Sequence, residues 1–589
     1  MKLPMSRRSV SQRVGRGLVL LLALVWSVRV SAQPPGGSEA ATQAGKTEKS
    51  APATPAGETP KPATGGPNAV ILLKNFDELL SDLKFVFDTA KAPKQYESLA
   101  GNLEVFLTGL DRTKLVSVQS WFDKKGERHI GSLPVEKAAD LPKFLQNISD
   151  LDIKSKLVAG QKTLYSLNVF GTAEAAFLRY DAKLGLVFIA PSKDDVLRVK
   201  AAPAAALLGD YDLVLQIDNG VQPASDRKES FQKIRDNLLQ AVKQGPKEQA
   251  DDFEIRKLSI EQQLAELERF LVDSSTITLG WTTETQQKMA ALQIDLAALP
   301  MTSLAESIAL LGQKPDDFAG VGSEQTESSI SVNFPIDKLR QGHLLASLKL
   351  WKPRALKMID ANAALSDAQK QERREFAELA SQVVEGVANL ETANGFVRIY
   401  PGKSNKHTTV LAVKVANEAP VVDLLKKHAE RIGPEKMKLD AHKEGDVAIH
   451  TIFLTDEQKL YPELFDDKGT LFVGTSPGAV WFAYGDEALD RLQKAVQAVA
   501  KGEKKAGGPA VDIHGNVAPW VEILDRRLGA IGDPELRKIA LEALKEGQDT
   551  LTFRIERVAD AVKVKVEFHE GLIRFAGKVM AKVVKDSLE

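Results

Sequence analysis

The segments TITLGWTTETQQKMAALQIDL (276–296) and TLTFRIERVADAVKVKVEFHE (550–570) share one pattern of strand, polar turn and strand, with apolar and polar residues alternating. LVLQIDNGV (213–221) likewise resembles AVDIHGNV (510–517), so the period is about 270–300 residues. Similarity at that spacing limits the possible architectures more than any short motif, because each copy must build the same supersecondary unit.

A smaller unit recurs inside each half: short strand, helix, second helix, two-stranded hairpin, closing helix. The opening strands are AVILL (69–73), DLVLQID (212–218), SISVNFP (329–335) and AVDIHGN (510–516). The hairpins cover 114–136, 276–296, 395–415 and 550–568. Ser259 with Gln262, and Ser366 with Gln369, read as capping boxes opening the second helices. Asp533 before Pro534 reads as a cap with proline at the first helical position. Ile260, Leu264, Leu267 and Leu271 form an apolar stripe at helical spacing, as do Phe376, Leu379, Val383, Val387 and Leu390, and both are expected to face a core.

Segments 149–211 and 431–509, each of short strands followed by a helix, join the units pairwise. The expected fold is therefore α+β, a tandem repeat of strand-helix-helix-hairpin-helix units with mainly antiparallel sheets and helices on one face. The first half is expected over 68–312, a connector over 313–328 and the second half over 329–589.

Ahead of the repeats, Lys2, Arg7, Arg8, Arg13 and Arg16 precede the apolar run LVLLLALVWSV (18–28), and Val30, Ser31 and Ala32 precede Gln33. These features predict a secretory signal peptide over 1–32, cleaved between Ala32 and Gln33, and a periplasmic or extracellular location. The apolar run is short for a bilayer span, which leaves an uncleaved membrane anchor as the alternative. Residues 33–67 hold seven prolines and almost no large apolar side chain, so they are expected to form a disordered tether. Without residues 1–32 the chain carries 72 basic and 79 acidic residues, a balance of −7 that argues against nucleic acid as a partner. The absence of cysteine excludes a disulfide framework, a thiol nucleophile and a lipid anchor through cysteine.

In this layout the chain resembles exported bacterial proteins of unknown function that carry a signal peptide, a Pro/Ala-rich tether and tandem α+β halves. The resemblance covers most of residues 68–589, rests on the strand–helix rhythm, and brings no catalytic residues with it.

GTSPG (474–478) matches G-x-S-x-G, the nucleophile elbow, with Ser476 as nucleophile. That elbow needs a helix after the motif and an N–H on the residue after the serine. AVWFAYG (479–485) reads instead as a strand, and Pro477 has no N–H. A turn is the expected structure; an extracytoplasmic serine hydrolase using Ser476, with Asp486, Asp490 and His514 downstream, is the alternative. The eight histidines (His129, His343, His407, His428, His442, His450, His514, His569) include no close pair of the zinc-site kind, and His442 and His450 lie on opposite arms of a hairpin. Asp456-Glu457 and Asp466-Asp467 lack the alternating ligands of a calcium loop. No metal and no cofactor are expected.

The last helix, 571–589, carries Arg574, Lys578 and Lys582 at every fourth residue, with Ile573, Val579, Met580, Val583 and Val584 making much of the other side apolar. Packing as the closing helix of its unit is expected, with weak peripheral membrane contact as the alternative. Together these readings point to an exported, non-enzymatic envelope or extracellular protein, a structural or binding module whose partner is an envelope protein or a small ligand.

Overall fold

The computed structural model describes residues 66–588 apart from 124–125, 151, 200–204, 403–405, 456–464, 466–468, 503, 505 and 522–533. The signal peptide with Ala32 and Gln33, the tether up to residue 65, the acidic pairs at 456–457 and 466–467, and the Asp533 cap lie outside the described residues.

The fold is α+β, and the chain divides into two compact units: Met1–Pro223 with Ala576–Glu589, and Ala224–Phe575. The division falls inside the first expected half and not at the connector 313–328.

In the first unit, β1 (Ala69–Leu73) leads into α1 (Phe76–Thr89) and α2 (Pro93–Leu107), the hairpin β2 (Val116–Asp123) and β3 (Gly126–Pro134), and α3 (Leu141–Asp150). Then come β4 (Ile153–Leu157), β5 (Leu164–Val169), β6 (Thr172–Asp181), β7 (Leu186–Ala190), α4 (Lys193–Arg198) and β8 (Leu213–Asp218). Asn75 caps α1 by accepting the Glu78 N–H at 2.7 Å, and Asp77 and Glu78 place negative charge at the positive end of the helix. The strands pair in the order β8-β1-β2-β3-β7-β6-β5-β4, every neighbour antiparallel. Phe76 and Leu80 of α1 and Phe144 of α3 bury against Leu178 and Val187, so helices and sheet share one core.

The second unit opens with α5 (Ala224–Ala241), α6 (Ala250–Val272), the hairpin β9 (Ser274–Glu284) and β10 (Met289–Ala298), and α7 (Ser303–Leu310). β11 (Ser328–Pro335), α8 (Lys338–Ala361), α9 (Asp367–Ala388), β12 (Thr392–Pro401), β13 (His407–Lys414) and α10 (Ala419–Ile432) follow. The remaining elements are β14 (Met437–Glu444), β15 (Val447–Phe453), β16 (Thr470–Ser476), β17 (Ala479–Gly485), α11 (Ala488–Lys501), β18 (Val511–Asn516), α12 (Pro534–Leu544), β19 (Thr550–Val558), β20 (Ala561–His569) and α13 (Glu570–Leu588), of which the last part belongs to the first unit. The ladder runs β9-β10-β20-β19-β18-β11-β12-β13-β17-β16-β15-β14, again antiparallel at every step. Helices α5, α6, α8, α9 and α10 each pack on the next.

The alternating segments form the expected hairpins, because alternation with period two puts one side of each strand in a core. Two local readings differ from the structure. Ser366 and Gln369 do form a capping box at the start of α9, but Ser259 lies well inside α6 and opens nothing. Residues 250–258 contain no glycine or proline, and Asp251 and Asp252 suit the first turn, so the helix begins earlier. Phe376, read as the first residue of a core stripe, is 61% exposed, and Leu267 of the other stripe is 40% exposed.

Candidate functional site

β16 and β17 pair tightly, with Ser476 opposite Ala479, so Pro477 and Gly478 alone turn the chain. Gly478 has φ of +76°, the left-handed conformation that glycine adopts without a Cβ penalty in a Pro-Gly turn. A strand, not a helix, follows. The Ser476 hydroxyl accepts the indole N–H of Trp481 at 3.2 Å. Trp481 is buried edge-on against Phe318 and Phe396, with ring centroids 5.5 and 6.0 Å away. Gly474 lies opposite it, and a Cβ there would stand 2.9 Å from Val447 Cγ1 and 3.0 Å from Trp481 Cβ. Thus Gly474 makes room for the indole, Ser476 satisfies its N–H, and Pro477-Gly478 forms the turn. His514 sits on β18 opposite Ser329 and Thr552, and the Asp490 carboxylate pairs with Lys494 at 2.7 Å.

A histidine does meet a hydroxyl one residue away from Ser476. Buried His450 has Nε2 3.2 Å from Thr475 Oγ1, and its Nδ1 lies 3.6 Å from an Asp440 carboxylate oxygen. The order acid–imidazole–hydroxyl looks like a triad, but the polarity is reversed. Nδ1 accepts the backbone N–H of Asp440 at 3.1 Å, so the ring proton sits on Nε2 and is donated to Thr475. A general base needs its lone pair on that nitrogen. Asp440 has φ of +47° where the β14–β15 register shifts, and the ring satisfies the N–H this irregularity releases from the ladder. Burial pushes the His450 pKa down, only partly offset by Asp440.

A concave and mainly apolar surface lies between α8 and α9, a groove of about 620 Å³. α8 buries none of its 24 residues. Its attachments to α6 are polar: Arg354 bonds Asp252 at 2.7 and 2.9 Å, Lys357 bonds Asp251 at 2.7 Å, and Gln262 donates to the His343 carbonyl at 3.0 Å. Toward α9, Lys352 pairs with Glu378 at 2.5 Å and Arg374 with Asp360 at 2.6 Å. At its start Arg340 and buried Arg269 both hold Asp337, at 2.8 and 3.0 Å. Burial alone would raise the Asp337 pKa, but the Arg340 N–H and the two guanidinium groups outweigh it and hold the carboxyl below its ordinary range.

These polar contacts leave much of the apolar side of α8 open, with Leu344, Trp351 and Met358 exposed and Leu348 and Ala355 half-buried. Leu344, Leu348, Trp351, Ala355 and Met358 recur at alternating spacings of four and three, the stripe a helix normally buries. Trp351 is 56% exposed, and the other wall of the groove is Phe376, Ala377, Ala380 and Val384 of α9. Arg373 also lines the groove, and among the described residues its guanidinium has no partner. The joining segments 149–211 and 431–509 contribute no residue to it.

In α13, Arg574 is buried, donating to the Ala543 carbonyl at 2.8 Å and pairing with Glu570 at 3.3 Å, so it belongs to the fold and not to a basic outer face. A Cβ at Gly577 would collide with the Val86 carbonyl, so α13 passes close to α1 there. Val579, Met580 and Val584 are half-buried and Val583 is exposed. Among the described residues no helix is long and apolar enough to cross a membrane, and no cluster of three His, Asp or Glu groups is placed to hold a metal.

No family model matches the chain, and no curated protein or solved structure matches it.

Proposed function

We propose that the protein is an exported, non-enzymatic module that acts by binding, and that its binding surface is the α8–α9 groove. The chain is read as two copies of one segment, 68–312 and 329–589. The order β8-β1-β2-β3-β7-β6-β5-β4 becomes β18-β11-β12-β13-β17-β16-β15-β14 when ten is added to each number, which supports the tandem reading. The export signal and tether add the location.

One observation carries the choice of surface. The first helix pair, α1 and α2, has 14 and 15 residues, and α1 buries Phe76, Leu80 and Phe87. The corresponding pair, α8 and α9, has 24 and 22 residues, and the longer helix buries nothing. Core packing does not explain the added turns, and they carry an open apolar stripe. Contiguous exposed patches of this kind mark interaction sites on soluble proteins. Covering Trp351, Met358 and Phe376 would each contribute up to about 1.5–3 kcal/mol.

The test is a photo-cross-linking residue at position 351 in the protein expressed in its own cell envelope. A reproducible adduct on one protein or small molecule is expected, lost when Phe376→Glu is added. Absence of any adduct from 351, with adducts from other surface positions, would refute this surface.

A further inference from the structure

Resting on the binding reading of the α8–α9 groove, we propose that its ligand is a single long-chain carboxylate, with the acyl chain along the apolar stripe and the headgroup at Arg373.

Shape, polarity and charge agree on this class. From Leu344 to Ile359 the groove follows α8 for about 22 Å at 1.5 Å per residue. One acyl chain spans about 15 Å, half of a bilayer's hydrocarbon core, so a chain and a small headgroup fit end to end. A volume of about 620 Å³ lies in the range of small-molecule sites.

The groove's charged groups lie away from one end. Val384, Leu344 and Leu348 line that end, with the uncharged Ser347 and Ser381 beside them. Asn362 and Arg373 line the other, near the turn that joins the helices; the Arg374–Asp360 pair fixes that level. The nearest other cation on the walls, Lys352, is neutralised by Glu378 at 2.5 Å. Arg373 is therefore the free charge, and a guanidinium beside an apolar channel suits a carboxylate, which it can bind with two parallel hydrogen bonds. The Asn362 side-chain oxygen accepts the Ala364 N–H at 3.0 Å, so its side-chain N–H groups take no part in that bond.

The experiment uses the full-length purified protein, stripped of bound lipid, titrated with a stearate brominated on its chain. Saturable quenching of tryptophan fluorescence is expected, and Trp351→Phe should remove most of it, because among the described residues Trp351 is the tryptophan that lines the groove. Arg373→Gln is expected to weaken carboxylate binding about tenfold and to leave the uncharged stearyl alcohol unchanged; both substituted residues are exposed, so folding is unaffected. Quenching that does not saturate, quenching that persists in Trp351→Phe, or carboxylate binding untouched by Arg373→Gln would each overturn the proposal. Binding to anionic vesicles without binding of monomeric stearate would do so as well. If stearate fails while position 351 still cross-links to a partner in the envelope, the ligand class is wrong and the binding surface stands. If both fail, the surface is wrong too.

Discussion

The Ser476 hydroxyl and the His450 ring each accept a part-buried N–H bond, from Trp481 and from Asp440. Ser476→Val removes the first acceptor and should cost about 1 kcal/mol in urea unfolding, whereas Ser476→Thr should cost less. Fluorophosphonate labelling of the wild type should give no adduct at Ser476, and an adduct there would revive the hydrolase reading. His450 gives a pH signature. Its folded-state pKa lies below the ordinary 6.5, so as pH falls through that value the unfolded chain takes up a proton before the folded one does. Stability is then full above pH 6.5 and declines below it. The urea midpoint of the wild type should fall between pH 7.5 and 5 more steeply than that of His450→Gln; parallel curves would contradict the assignment.

Among elements, one side chain makes several of the contacts that tie the connector before β11 to the sheet. Buried Arg398 on β12 donates to the carbonyls of Val321 at 2.7 Å, Gly322 at 3.0 Å and Ile330 at 2.7 Å, and to the Ser331 hydroxyl at 2.9 Å. A lysine ammonium cannot fan out to these acceptors, so Arg398→Lys should destabilise by about 2 kcal/mol or more in thermal or urea unfolding. At this scale the sequence is informative about strands and less so about faces. Alternation in 550–568 or 395–415 shows the hairpins directly, because each strand has one covered side. Helical spacing in Phe376–Leu390 shows that a stripe exists but not that a neighbour covers all of it, and Phe376 is the residue left uncovered. S-x-x-Q marks a helix start at Ser366 and has no such meaning at Ser259, since the same residues also suit a helix interior. Pro353 lies inside the continuous helix α8 and lowers its helical signal, which hides the 344–358 stripe that forms half of the groove. Arg398 gives no sequence signal, because its partners are backbone carbonyls far along the chain.

For the whole molecule, the account rests on an apolar surface that the fold leaves open on one helix pair. Two methionines of the second unit allow that surface to be tested: Met358 in the groove, 45% exposed, and Met301 in a turn, 78% exposed. Both should oxidise readily in the purified, lipid-stripped protein. The decisive measurement is the ratio of Met358 to Met301 sulfoxide after brief peroxide treatment, in intact cell envelopes and in the stripped protein, read by mass spectrometry. A ratio at least several-fold lower in the envelope, restored on stripping, is the predicted result and means that the groove is occupied where the protein works. An equal ratio in both states would mean that the groove stands empty there, and would contradict the binding account.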